Sequence, residues 1–334
     1  MKNTYKLMFM SIMATGTLIT ISANSWMSMW IGLEINLLSI IPLMTNINNK
    51  MESEAAMKYF ITQAMASTFL MLGVIIMLST DHTMKTSLVA PIMMTAVLTK
   101  MGSAPFHFWF PEVMEGLTWI NSMIMLTWQK IAPMIMLIYM NKPMTLMLMV
   151  IIASMTISGL MGINQTSMRK ILAYSSINHI GWMIGAMMAN QTVWMIYFII
   201  YSMMTVNIVL MFKQMNISYI SQLTNSMNNN KMMKILFSLN FLSLGGIPPF
   251  IGFYPKWITI SDMIQSEMFM TTLIMIVMTL TTLVFYMRIT FSSSIIMTAE
   301  KKNATKNNQP MILMMMNFIV LSLLSTCSMM TSFI

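Results

Sequence analysis

Five ionisable side chains stand in segments that are otherwise fit for an oily interior. Glu34 lies in WIGLEINLLSIIPL, Lys100 opens KMGSAPFHFWFPEV, Lys130 lies in LTWQKIAP, His179 in KILAYSSINHIGWM and Lys256 in LGGIPPFIGFYPKW. Carboxylate, ammonium and imidazole groups share one chemistry, the exchange of protons. Holding such a residue at mid-membrane costs about 2.5–3.5 kcal/mol on insertion scales. Glu34 and the three lysines therefore cost on the order of 10–14 kcal/mol together, comparable to the stability of a whole domain. A purely structural account pairs Glu34 with one lysine and lets the others reach the interface. One carboxylate does not neutralise three ammoniums, however, and Lys130 has the least room to reach out. Loss of water disfavours an ammonium, and lysines sharing a wet interior repel one another more as the effective dielectric falls. The expectation is a row Glu34–Lys100–Lys130–(His179)–Lys256 that passes protons laterally, each charge biasing the next. His179, beside Ser175, Ser176 and Asn178, is either a relay member titrating near neutral pH or a neutral histidine bonded across a helix interface. His107 is expected to be positional.

The elements that must hold these groups follow from composition. Of 334 residues 57% are hydrophobic and 8% charged, against about 25% charged in soluble domains, so the chain is a polytopic membrane protein. Cys327 is the single cysteine, and His82, His107 and His179 are scattered, which argues against a disulfide, a zinc or iron–sulfur site, or a haem pair. No glycine-rich phosphate loop is evident. The 52 methionines are flexible apolar filler. The formal charge of +9 is explained by its distribution along the chain, so no nucleic-acid partner is expected.

A helix crossing the hydrocarbon core needs about 20 mostly apolar residues. Eleven candidates run over 5–22, 25–44, 57–79, 87–104, 118–140, 144–163, 169–187, 192–212, 234–262, 268–289 and 311–331. Lys2 and Lys6 before the first run imitate a signal peptide, but the next apolar run follows at once and the segment is read as retained. With eleven crossings, one side collects Lys2, Lys6, Lys50, Lys58, Arg169, Lys170, Lys213, Lys231, Lys234, Arg288, Lys301, Lys302 and Lys306. The other collects only Lys85 and Lys142. The positive-inside rule then puts the N-terminus on the positive side and the C-terminus opposite.

Two of the quoted stretches are echoes. GSAPFHFWFPE at 102–112 returns as GIPPFIGFYPK at 246–256, with Gly, Pro, Phe and Pro at matching offsets. Proline removes a helix hydrogen bond and glycine permits a sharp bend, so Gly102, Pro105, Gly245, Gly246, Pro248 and Pro249 are expected to break their spans. Broken backbone inside a bilayer needs protein or water partners and lines a cavity. The echoes fall in spans four and nine, five crossings apart, so they run in opposite directions. That parity is the trace of an inverted repeat, with 1–140 as the first half, 141–290 as the second, and a loop plus last helix over 291–334. The lysines do not align: Lys100 precedes its phrase, whereas Lys256 matches Glu112.

Together the five quoted stretches, in order and spacing, resemble the antiporter-like membrane subunits of respiratory complex I from animal mitochondria, up to about residue 290. The methionine excess is similar to that of arthropod mitochondrial genes, in which an extra codon is read as methionine. The resemblance implies two inverted five-helix halves with discontinuous helices, and proton-path roles for Glu34, Lys100, Lys130 and Lys256. It implies proton translocation across the mitochondrial inner membrane, with the N-terminus in the matrix and the C-terminus in the intermembrane space. It also implies no cofactor on this chain, with NADH, FMN, iron–sulfur clusters and ubiquinone handled by other subunits. The expected partners are other membrane-arm subunits, inner-membrane phospholipids, protons and internal water. Two further readings stand beside it: a free-standing cation/proton antiporter, stable alone and moving Na⁺ or K⁺, and a structural subunit indifferent to neutralising its buried charges.

Overall fold

The computed structural model describes residues 2–46, 49–79, 89–140, 142–227, 231–248 and 250–294. Pro249, His82, Lys85, Lys301, Lys302, Lys306, Cys327 and the span expected over 311–331 lie outside the described residues. Apolar sequence with few charges leaves the backbone to satisfy itself, and in lipid the helix does so within one segment. The described residues accordingly form fourteen α-helices and no strand, with one isolated antiparallel bridge between Ser167 and Tyr219. Seven helical segments among them are long and apolar enough to cross a membrane. The chain is an all-helical polytopic membrane protein.

Two compact units divide the chain at Ala153 and Ser154. The first contains α1 (Lys2–Ser22), α2 (Trp26–Met44), α3 (Lys50–Ser79), α4 (Ala90–Met101), α5 (Trp109–Gly116), α6 (Trp119–Leu126) and α7 (Trp128–Tyr139). Within it α1 packs along α2, α3 packs against α2, α4 and α5, and α7 packs against α4 and α6. The boundary falls inside α8 (Met144–Ile163). The second unit continues with α9 (Met168–Ala189), α10 (Gln191–Met215), α11 (Ile220–Met227), α12 (Lys231–Gly245), α13 (Phe253–Gln265) and α14 (Phe269–Ser294).

Helix ends follow local chemistry. Ser25 caps α2 by accepting from the Ser28 N–H at 3.3 Å, and Asn190 caps α10 by accepting from the Thr192 N–H at 3.3 Å. Asn216 ends α10 in the left-handed region at φ 52°. Arg288, counted with the loop cations in the sequence, lies on α14 and donates to the Ile163 carbonyl at 2.8 Å, closing the end of α8. The centre of the second unit is α9, buried on all sides from Ile171 to Met187 and packed against α10, α13 and α14. A helix without an exposed face is a core helix, so His179 and Trp182 on it are core residues.

Two expected spans are interrupted. The run 234–262 divides into α12 and α13, and the run 118–140 divides into α6 and α7 at Thr127 (φ −116°, ψ −71°). The second interruption differs from the unbroken span expected there. Pro133 in α7 supplies no N–H to the Gln129 carbonyl, and the Thr127 hydroxyl donates back to the Met123 carbonyl at 2.8 Å, an arrangement that bends helices. Two short helices, α5 and α11, had no expected counterpart.

Candidate functional site

The site begins with two helix ends of one design. At the end of α4, the Gly102 N–H donates to the Thr99 carbonyl at 3.1 Å and the Ser103 N–H to the Leu98 carbonyl at 3.2 Å. At the end of α12, the Gly246 N–H donates to the Ser243 carbonyl at 3.0 Å and the Ile247 N–H to the Leu242 carbonyl at 3.3 Å. Both glycines are left-handed, at φ 71° and 78°. This paired pattern is the Schellman motif, and its requirement for φ above zero is why glycine stands at both places. The next helix starts at the same offset each time, with Phe110 N–H donating to the His107 carbonyl and Tyr254 N–H to the Ile251 carbonyl. Gly245 is the last residue of α12 rather than part of the turn, and Pro248 lies exposed just after it. Pro105 lies in the turn that follows Gly102.

Each lysine sits beside an interruption. Lys100 is in the last turn of α4, 7% exposed, with its charge at the negative end of the helix dipole. Lys256 lies in the first turn of α13, 6% exposed, and its ammonium turns back to donate to the Gly245 carbonyl at 2.8 Å. A carbonyl left over at the end of α12 thus takes a charge-assisted bond, stronger than a neutral one. The same ammonium stands 5.9 Å from the centroid of the Trp182 ring. Lys130, 2% exposed, is three residues past the interruption at Thr127, and its ammonium lies 5.7 Å from the centroid of Phe110 in α5. Cation–π contacts of this kind strengthen when water is excluded. All three side chains are buried.

Glu34 is half-buried on α2, and its charge acts on Lys100 across a separation too long for an ion pair. Lys58, by contrast, bridges Glu54 and Glu112 at 3.0 Å each on an exposed surface. The simple reading in which Glu34 forms a structural salt bridge with a lysine is therefore set aside.

In the second unit His179 is 1% exposed, and its Nδ1 lies 2.9 Å from the Tyr197 hydroxyl. The Tyr201 ring lies against it at 4.9 Å between centroids. Trp182, one turn along α9, carries the contact to Lys256. His107, also buried, has Nδ1 3.4 Å from the Pro105 carbonyl and its ring over Phe108. Among the described residues no group of three or more His, Cys, Asp or Glu side chains is placed to hold a metal ion.

Sequence reasoning passed over the uncharged polar residues. Asn36, Tyr59, Gln63 and Gln129 gather around Lys100 in the first unit, and Asn207 donates to Asn240 at 3.2 Å in the second. The signal was available, because a buried amide without a partner also carries a cost in free energy. Gln129 lies next to Lys130 and four residues before Pro133, where the helix must lose a bond.

Apolar spans, interrupted helices and three buried lysines define a class: polytopic membrane proteins that carry ionisable groups inside the helix bundle. The chain belongs to the family described as NADH:quinone oxidoreductase/Mrp antiporter, TM, which it matches over residues 23–283. It is 46% identical over 314 residues to NADH-ubiquinone oxidoreductase chain 2 of Anopheles gambiae, across 92% of this chain and 91% of that one. To the protein of the same name in Locusta migratoria it is 42% identical over 329 residues, across 97% and 95%. Among solved structures it is similar to respiratory complex I from Thermus thermophilus with bound aureothin, with TM-score 0.85 and 22% identity over 96% of this chain and 78% of that one. The Mrp complex of a Dietzia species gives TM-score 0.71 and 16% identity over 84% and 59%. At these identities the structural likeness concerns the fold alone.

Proposed function

We propose that this chain is a proton-translocating, non-redox membrane subunit of NADH:ubiquinone oxidoreductase in the mitochondrial inner membrane. The observation that carries the reading is the burial of Lys100, Lys130 and Lys256, each within four residues of an interrupted helix. A charge so placed costs too much to be mere packing. Proton transfer is assigned to Glu34, Lys100 and Lys130 in the first unit, and to Lys256 with His179 in the second. Insect relatives named NADH-ubiquinone oxidoreductase chain 2, at 42–46% identity over most of the chain, favour a subunit of the complex over a free-standing antiporter.

The finer organisation belongs to the same proposal. The chain crosses the bilayer eleven times, with 1–140 and 141–290 as inverted repeats and 291–334 as a loop and last helix. Its N-terminus is in the matrix and its C-terminus in the intermembrane space. The matched hydrogen bonds at Gly102 and Gly246 support the repeat. The chain binds no redox group itself. NADH, FMN, iron–sulfur clusters and ubiquinone are handled by neighbouring membrane-arm and peripheral subunits, and electron transfer there drives the protons here. The test is proton translocation by the assembled complex in proteoliposomes, with NADH oxidation measured in parallel. Lys130→Met and Lys256→Met are expected to lower coupled translocation by about 100-fold or more, the scale of one lost transfer group. Normal assembly with wild-type translocation in both variants overturns the proposal.

A further inference from the structure

Beside Lys100 the first unit holds a cavity of about 10 Å³, lined on its polar side by Asn36, Tyr59, Gln63, Lys100 and Gln129. That volume is about one water molecule. Three amides and a phenol converge on it from three different helices: Asn36 from α2, Tyr59 and Gln63 from α3, and Gln129 from α7. They are tied into a fixed order. Gln129 Nε2 donates to Asn36 Oδ1 at 2.9 Å, and the Tyr59 hydroxyl donates to Gln129 Oε1 at 3.4 Å. Gln63 Nε2 donates to the backbone carbonyl of Lys100 itself at 3.3 Å. Amides and a phenol do not release protons readily at neutral pH, so these groups are unsuited to be relay members. What they can do is hold something in place.

The cavity has both kinds of anchor that a water needs. Lys100 lines the cavity, and its ammonium has up to three donors to offer there. The backbone carbonyl of Gln129 is an acceptor left over, because Pro133, which also lines the cavity, has no N–H to complete the helix bond. A water set between them accepts from the lysine and donates to the carbonyl, within the two to four partners that buried waters have.

We propose that Gln63 and Gln129 are positioning residues that seat one water against the Lys100 ammonium, with Asn36 and Tyr59 fixing the orientation of Gln129. The inference rests on the proton-transfer role given to Lys100 above. In the transfer step an N–H bond of Lys100 breaks as an O–H bond forms on the seated water. The water loses a different proton, through its other O–H, towards the neutral amine of Lys130, the next base in the row. Lys100, left as a neutral amine, is reprotonated from the side of Glu34, so charge and atoms balance. Gln129 adjoins Lys130 in sequence, and α7 therefore carries the seat and the next lysine as one rigid piece.

The experiment uses the assembled complex. A high-resolution density map of the wild type is expected to show one peak within hydrogen-bond distance of Lys100 Nζ and the Gln129 carbonyl. Gln129→Leu and Gln63→Leu are expected to abolish that peak and to slow coupled proton translocation about tenfold, with a larger solvent isotope effect. Gln129→Glu keeps the shape and the bond from Tyr59, and Asn36 can turn its amide to meet it, so most of the rate is expected to return. Should Gln129→Leu fail to assemble, Tyr59→Phe replaces it as the test, with loss of rate expected. Wild-type rates and isotope effects in the assembled variants, or a cavity empty of density in the wild type, overturn the inference. Lys100→Met separates the two levels. If it pumps normally, the proton-transfer reading itself fails; if it stops pumping while the glutamine variants do not, only the water seat fails.

Discussion

The two helix ends at Gly102 and Gly246 share every backbone hydrogen bond that defines them, yet they are used differently. At the first, the turn 103–108 lets the Phe108 side chain stand 70% exposed. At the second, the position 144 residues later is Gly252, whose backbone lies so close to the Ser243 carbonyl that a methyl group would collide with it. At the first end the lysine precedes the turn and leans on a dipole; at the second it follows the turn and closes an open carbonyl by a direct bond. One backbone design thus supports two ways of placing a buried ammonium. The lesson is that the two ends share the interruption but not the placement of the charge.

The comparison is sharpest at the position where one copy has glycine and the other phenylalanine. Gly252→Ala is expected to cost about 4 kcal/mol or more, the upper end for single substitutions, and to prevent accumulation of assembled complex on native gels. Phe108→Ala, at the matching place, is expected to assemble as the wild type does. Next in size is the direct cap. Lys256→Met removes a charge-assisted bond worth about 1.5–3 kcal/mol and should lower the melting temperature of the membrane arm. Lys100→Met, which removes a dipole contact rather than a direct cap, should lower that temperature less than Lys256→Met does while still lowering proton translocation.

Smaller again are the two left-handed glycines. Gly102→Ala and Gly246→Ala each force a side chain into the left-handed region at about 1–2 kcal/mol. Gly246→Ala should be the worse of the two by thermal unfolding, because its methyl would come within 2.8 Å of Lys256 Nζ. Equal losses would remove the distinction between the ends. The least effect is expected at Glu112, the counterpart of Lys256. Its bridge to Lys58 is exposed on both sides, and Glu112→Gln should assemble and pump at wild-type levels.

Much of this was legible because membrane burial makes charge conspicuous. Glu34, Lys100, Lys130 and Lys256 stand out in apolar sequence, and the glycine–proline phrases mark the ends of α4 and α12. Helix limits such as 144–163 follow from apolar length alone. The interruption at Thr127 was not legible, since neither glycine nor adjacent proline marks it. Nor was the gathering of Asn36, Gln63 and Gln129, which are 27 and 66 positions apart in sequence and meet only because α2, α3 and α7 pack together. The return of Lys256 to Gly245 was hidden for a related reason. Eleven positions apart, the two residues meet only when the chain doubles back on itself between two helices.

That last bond makes protonation a mechanical variable. An ammonium grips a carbonyl more firmly than a neutral amine does, so each proton that leaves Lys256 slackens the join between α12 and α13. By reciprocity, whatever draws those two half-helices apart changes how tightly Lys256 holds its proton. The separation of α12 from α13 and the protonation of Lys256 are thus two readings of a single bond.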